Sequence, residues 1–134
     1  MKREEISLFT IRQWLRDHPE KAEALLNENP SYVFFTLRED PDDGPIGSLN
    51  VPLTAERSIA IDPKLVSLGT PIWLMTNRPG EPSQPYNRLV IAQDTGGAIN
   101  GPLRVDLFWG HDRHAEQSAG EMKEQGELIV LLPK

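Results

Sequence analysis

The chain has no cysteine, which excludes disulfide frameworks, thiolate catalysis and cysteine-based zinc sites. Compartment stays open on that evidence, because an extracytoplasmic protein need not carry disulfides. A basic excess is also missing: 14 Lys and Arg stand against 20 Asp and Glu, a formal charge of -6, whereas duplex binding needs clustered cations. Nucleic acid is therefore not expected as a partner. No run reaches the roughly 18 apolar residues of a membrane span, and the N-terminus "MKREEISLFTIRQW" has acids and no apolar core of signal-peptide type. As written, the chain reads as soluble and without an export address. No internal repeat is evident. A length of 134 residues fits one compact unit, since single cores commonly span roughly 100–150 residues.

What is present changes character along the chain. In "ISLFTIRQWLRDHPEKAEALL", Ile6, Phe9, Trp14, Leu15, Ala22, Leu25 and Leu26 recur at helical spacing. Two short helices are expected, broken near Asp17 to Pro19, with Asp17 as N-cap of the second. "SYVFFTL" (Ser31 to Leu37) is β-branched and aromatic and reads as a strand. The following "REDPDDGPIG" reads as a loop; its Glu39, Asp40, Asp42 and Asp43 lack the spacing of a calcium loop and read as a solvated turn. Further strands are expected at Ser58–Asp62, Pro71–Met75, Arg88–Asp94, Arg104–Trp109 and Leu128–Pro133, with a Pro-rich loop at 77–87 and one helix in "HAEQSAGEMKEQG" ending at Gly126. Several short strands and one late helix suggest a small closed barrel, which would leave no open edges.

Three carboxylates stand in or at the ends of these strands: Asp62 in "AIDPK", Asp94 in "AQDTGG" and Asp106 in "VDLFWG". An ionised carboxylate in apolar surroundings is costly unless hydrogen-bonded, so each needs a partner or a raised pKa. Asp62 reads as a turn cap before "PKLVSLG", and Asp94 as an acceptor for the amides of Thr95 to Gly97. Asp106, between Val105 and Leu107, has no such structural explanation. His111 and His114 flank Asp112 and read as a surface loop and helix start rather than a metal pair. No serine has a nucleophile-elbow context. The single "DTG" lacks the second copy that an aspartic protease needs within one chain.

"LLNENPSYVFF", "SIAIDPKLVSLGTPIWL" and "IAQDTGGAINGPLRVDLFWG" together resemble the C-terminal region of the membrane-bound lytic murein transglycosylase A family, whose 3D domain is named for three aspartates. The resemblance implies a mainly β fold, a double-psi β-barrel over residues 31–134, with a helical lead-in at 1–30 and one helix before the last strand. It implies a peptidoglycan lytic exotransglycosylase that cleaves the β-1,4 bond between N-acetylmuramic acid and N-acetylglucosamine and leaves a 1,6-anhydro sugar. Carried over, Asp106 is the catalytic acid, Asp94 its close catalytic partner and Asp62 a supporting residue. Gln93, Thr95, Gly96, Gly97, Phe108 and Trp109 become glycan contacts, the aromatics by stacking on a sugar face. The three acids are expected to converge on one cleft, with no metal and no organic cofactor. The implied partner is the peptidoglycan strand, and the implied location is the periplasm or outer membrane, as a lipoprotein. Family members are longer; their N-terminal part and second domain are expected to be absent here. A strand-exchanged homodimer or a separate N-terminal half would then complete the barrel, and the alternative function is a non-catalytic barrel that binds peptidoglycan.

Overall fold

A computed structural model describes residues 5–37, 44–102 and 104–134. The chain divides into two compact units, Met1–Glu39 and Asp40–Lys134, where length alone predicted one. The first holds helices α1 (Leu8–Asp17) and α2 (Pro19–Asn27), neither of which buries a residue. So short a segment has too little apolar surface to form a core of its own. Ser7 caps α1 reciprocally: its Oγ accepts from the Thr10 amide at 3.2 Å, and Thr10 Oγ1 accepts from the Ser7 amide at 2.8 Å. The expected cap at Asp17 is not formed. His18 ends α1 and precedes Pro19 at the start of α2, with its ring stacked on Trp14 at 4.5 Å, while Asp17 Oδ1 accepts from Gln13 Nε2. The expected strand at Ser31–Leu37 is also absent: these residues form no strand, and Tyr32, Phe34, Phe35 and Leu37 are 86–99% exposed. Strand propensity describes fit to a pleated neighbour, and among the described residues no strand pairs with this segment. Glu39, Asp40, Asp42 and Asp43 lie outside the described residues.

The second unit is built on one mixed sheet. Its strands are β1 (Ser58–Ile61), β2 (Pro71–Arg78), β3 (Glu81–Thr95), β4 (Asp106–Leu107) and β5 (Glu127–Val130), and the order is β4-β1-β3-β2-β5. β1 and β3 run parallel, and the other neighbours are antiparallel. Among the described residues the sheet is open, with β4 and β5 as its edges, so the expected closure is not seen in it. The Pro-rich loop expected at 77–87 is instead a hairpin. Arg78 pairs with Glu81 across Pro79 and Gly80, and Gly80 supplies the positive φ of +72° that the turn requires. Pro82 and Pro85 are tolerated because β1 reaches only Ile91–Thr95 of β3, leaving this stretch one unpaired side where a missing N–H costs nothing.

Alternation builds the core. Ile59 and Ile61 of β1, Ile72 and Leu74 of β2, and Tyr86, Val90 and Ala92 of β3 are buried together with Trp109 and Ala115. Helix α3 (Arg113–Glu121) closes over this layer through Ala115, its Asp112 N-cap accepting the Ala115 amide at 2.6 Å. It ends five residues before Gly126 because Met122 is already extended. His111 and His114 are exposed beside that cap.

Candidate active site

The row that carries the acids is set by register. Asp106 of β4 pairs with Ala60 of β1, and Ala60 pairs on its other side with Asp94 of β3. A bulge decides which way Asp94 faces. Ile59 pairs with Ala92 but Ala60 pairs with Asp94, so Gln93 is the extra residue in β3. One inserted residue moves every later side chain to the opposite face of the sheet. Without it Asp94 would follow Ala92 towards the Ile59–Ile61 core; with it Asp94 joins Ala60 and Asp106 on the other face. The small Ala60 lies between the two acids, whose Cα atoms are two strand spacings apart, roughly 9.5 Å. Gln93 is fixed in the bulge, its Oε1 accepting a short hydrogen bond from the buried Ser58 hydroxyl.

Each carboxylate has its own partner. Asp94 Oδ1 accepts from the amide and hydroxyl of Ser48, both at 3.0 Å, and Ser48 Oγ lies 2.7 Å from Thr95 Oγ1. The partner expected for Asp94, the amides of its own turn, is thus replaced by a residue far upstream. Ser48 reaches it because Gly47 lies flat on β3: a Cβ there would stand 2.4 Å from the Gln93 carbonyl oxygen. Asp62 is buried and does act as a cap, accepting from the Lys64 amide at 3.0 Å and the Gly101 amide at 2.8 Å. Asp106, side chain half exposed, is gripped by both nitrogens of one guanidinium face: Arg104 Nε to Oδ1 and Nη2 to Oδ2, each at 3.1 Å. Arg104 Nη1 donates in turn to the Ala98 carbonyl at 3.2 Å. The loop holding Gly96 and Gly97 is therefore pinned to Asp94 through Thr95 and Ser48, to Asp62 through Gly101, and to Asp106 through Arg104. Ser48 and Arg104 were not singled out from sequence. The spacing of Arg104 and Asp106 was a readable signal, since residues two apart in extended chain share a face; the approach of Ser48 had none.

A cavity of about 790 Å³ opens beside β4, its wall including Arg104, Asp106, Leu107, Trp109, Lys123 and Glu124. Asp62 and Asp94 do not line it. Trp109 is only 6% exposed and packs its ring on Tyr86 at 5.2 Å, so its face is not offered to a sugar; its indole N–H has no hydrogen-bond partner among the described residues. Phe108 is half-buried. Among the described residues, no three His, Asp or Glu side chains are grouped to hold a metal ion.

The charges respond to these partners. The Gly101 amide first, then the Lys64 amide, holds the Asp62 carboxyl below its ordinary value of 3.8, because donors stabilise the ionised form. The hydrogen bonds and charge of Asp106 hold the Arg104 guanidinium above its ordinary range. For Asp62 the consequence has a definite sign: a depressed folded-state value adds stability that is complete above about pH 4 and is lost as pH falls through that value. Asp62→Asn should therefore flatten the acid limb of stability. Urea unfolding at a series of pH values from about 2.5 to 5 checks this; an unchanged slope would show that other carboxylates set the limb.

Known proteins resemble this chain over most of its length. Residues 57–132 match the 3D domain, and residues 1–36 match the MltA specific insert domain. Membrane-bound lytic murein transglycosylase A of Escherichia coli (strain K12) is 34% identical over 137 residues, covering 98% of this chain and 36% of that protein. The Vibrio cholerae protein of the same name is 35% identical with the same coverage. The chain thus spans about a third of the length of these curated relatives. Among solved structures, MltA from Neisseria gonorrhoeae in its monoclinic form superposes with a TM-score of 0.81 at 41% identity, over 92% of this chain and 31% of that one. E. coli MltA with bound chitohexaose gives 0.78 at 31% identity, over 92% and 38%. Among the described residues no helix is long and apolar enough to cross a membrane. By its 3D domain and its insert segment, the chain belongs to the family of membrane-bound lytic murein transglycosylase A.

Proposed function

We propose that this chain carries the acid–base centre of a lytic transglycosylase acting on peptidoglycan, with Asp106 as the catalytic residue. The observation that carries the reading is the position of Asp106: half exposed, on the wall of a cavity large enough for sugar rings, on a strand with no packing need for an acid. Protonated Asp106 gives its proton to the glycosidic oxygen as the bond from C1 of the muramic acid breaks. The resulting carboxylate then takes the proton of that sugar's own 6-hydroxyl as its oxygen attacks C1, which closes the 1,6-anhydro ring and restores the acid. No water enters the product. A second carboxylate acting as nucleophile or water-activating base, as ordinary glycosidases require, has no step to perform. Nor does a metal or organic cofactor.

Asp94, held by Ser48 on the same face of the sheet, is proposed as the close catalytic partner of Asp106. Asp62 is a supporting residue that fixes the glycine loop through Gly101. Gln93, Thr95, Gly96, Gly97 and Phe108 are proposed glycan contacts around that loop; Trp109 contributes the cavity wall rather than a stacking face. For the fold, the proposal is a double-psi barrel over residues 31–134, with 1–30 as lead-in, closed by strands from the N-terminal half of the longer family proteins or from a second copy. The apolar edge at β5 supports it: Ile129 and Val130 are 48% and 42% exposed, and an open apolar edge is a pairing site. The proposed location is periplasmic, as in a membrane-anchored lipoprotein.

The test is digestion of purified murein followed by mass spectrometry of the soluble fragments. Anhydromuropeptides that form equally with and without EDTA are the expected product. Binding to murein with no anhydro product would favour the non-catalytic barrel, and dependence on a divalent ion would favour a carboxylate metal site.

A further inference from the structure

We infer that Arg104 is a specificity-determining residue: its guanidinium exchanges Asp106 for a carboxylate on the lactyl side arm of the substrate's muramic acid. The inference rests on peptidoglycan being the ligand. In the free protein the fork of Arg104 is occupied by Asp106 through both Nε and Nη2, so both carboxylate oxygens face the guanidinium rather than a substrate oxygen. The pair has to open before the first proton transfer. Two features suit it to opening. The side chains are 52% and 50% exposed, and exposed pairs are weak. The guanidinium also has an anchor that does not depend on Asp106, since Nη1 donates to the Ala98 carbonyl at 3.2 Å. When Asp106 leaves, the fork keeps this anchor and has two free donors on a residue of the cavity wall. Such a planar pair of N–H groups matches a carboxylate and little else on a glycan.

The substrate carries that group beside the scissile bond. The muramic acid's lactyl arm ends either in its own carboxylate or, when amide-linked, in a stem peptide that has carboxylates of its own. A neutral glucosamine polymer has neither. Binding of the acidic arm to Arg104 takes the fork off Asp106 and leaves its carboxyl free to turn to the glycosidic oxygen. Other charges near this point are Lys123 and Glu124 in the cavity wall and Asp94 across Ala60. Lys123 is the competing receptor.

The experiment measures binding of the 134-residue chain to three probes: glycan strands with stem peptides, the same strands stripped by amidase to free lactyl carboxylates, and chitohexaose, which has no carboxylate. Calorimetry is expected to give at least tenfold tighter binding of one acidic probe than of chitohexaose, and which probe it is identifies the source of the carboxylate. Arg104→Gln should reduce that preference to within about twofold and leave chitohexaose unchanged; Arg104→Lys, a point charge without the fork, should restore it only in part. Asp106→Asn should act in the opposite direction, tightening the acidic probe several-fold, because a neutral amide oxygen holds the fork more weakly than a carboxylate does. Equal weakening of all three probes by Arg104→Gln would show a merely structural residue, and loss of preference in Lys123→Gln alone would move the receptor there. If all probes bind but ignore Arg104, this inference fails and the lytic reading stands. If none binds, both fail.

Discussion

Asp106→Asn should stop anhydro-product formation while the protein stays folded and continues to bind glycan. Asn keeps the shape of the side chain and accepts from Arg104 through its oxygen, but it cannot give a proton to a leaving oxygen or take one from the 6-hydroxyl. In the proposed mechanism one residue serves both steps, so neither is rescued by another group in the row, and the loss should be on the order of a hundredfold or more. Stability should change little, because the Arg104 pair is half exposed. Asp94→Asn should do less to the chemistry. It retains an acceptor for the Ser48 amide and hydroxyl and removes only a charge on the same face, so its mark should be a partial loss of rate, well short of that of the Asp106 variant. Mass spectrometry of released muropeptides decides between them: abundant anhydro product from the Asp106 variant and none from the Asp94 variant would exchange the two roles.

How much of this was readable beforehand divides by range. Strands built on β-branched and apolar runs were legible at Ser58, Pro71 and Leu128, within a few residues at each end. So was Asp62 as a cap, because Asp-Pro followed by "KLVSLG" is a local device. Ser31–Leu37 misled for the opposite reason: its residues suit a strand, but a strand needs a neighbour that no local pattern announces. Residues 77–87 misled because prolines were read as loop, although a half-paired strand tolerates them. The site itself is long-range. Ser48 lies 46 residues from Asp94, and the Gln93 bulge that turns Asp94 off the core face leaves no trace in composition. Recognition of the three aspartates as a set came from resemblance, and the placement of Asp94 and Asp106 on either side of Ala60 from register.

The larger stability effect is expected at Glu56, outside the row of acids. Its Oε2 accepts from the Tyr86 hydroxyl at 3.0 Å and pairs at short range with Arg88 Nη1, whose guanidinium sits 3.9 Å over the Tyr86 ring. Burial, then the Glu56 acceptor, holds the Tyr86 phenol well above its ordinary range. The backbone of Glu56 is also committed, donating to the Phe108 carbonyl at 2.6 Å from a residue with φ of 59°. Glu56→Ala leaves a mostly buried guanidinium unpaired and a buried phenol without its acceptor. Breaking such a pair from one side costs about 3 kcal/mol, roughly 15 °C in Tm for a unit of this size. Two controls separate the causes. Tyr86→Phe removes one hydrogen bond only and should cost about 1 kcal/mol. Glu56→Gly loses the same side chain but relieves the left-handed backbone, and should fall about 1 kcal/mol short of the alanine variant. Calorimetric melting of the three variants and of the Glu56→Ala, Tyr86→Phe pair measures the coupling; additive losses would mean that the carboxylate and the phenol act separately. Because Phe108 also donates to Ser58 at 2.9 Å, and so ties the end of β4 to β1, the same substitution should loosen the strand that presents Asp106 and lower activity before the unit melts.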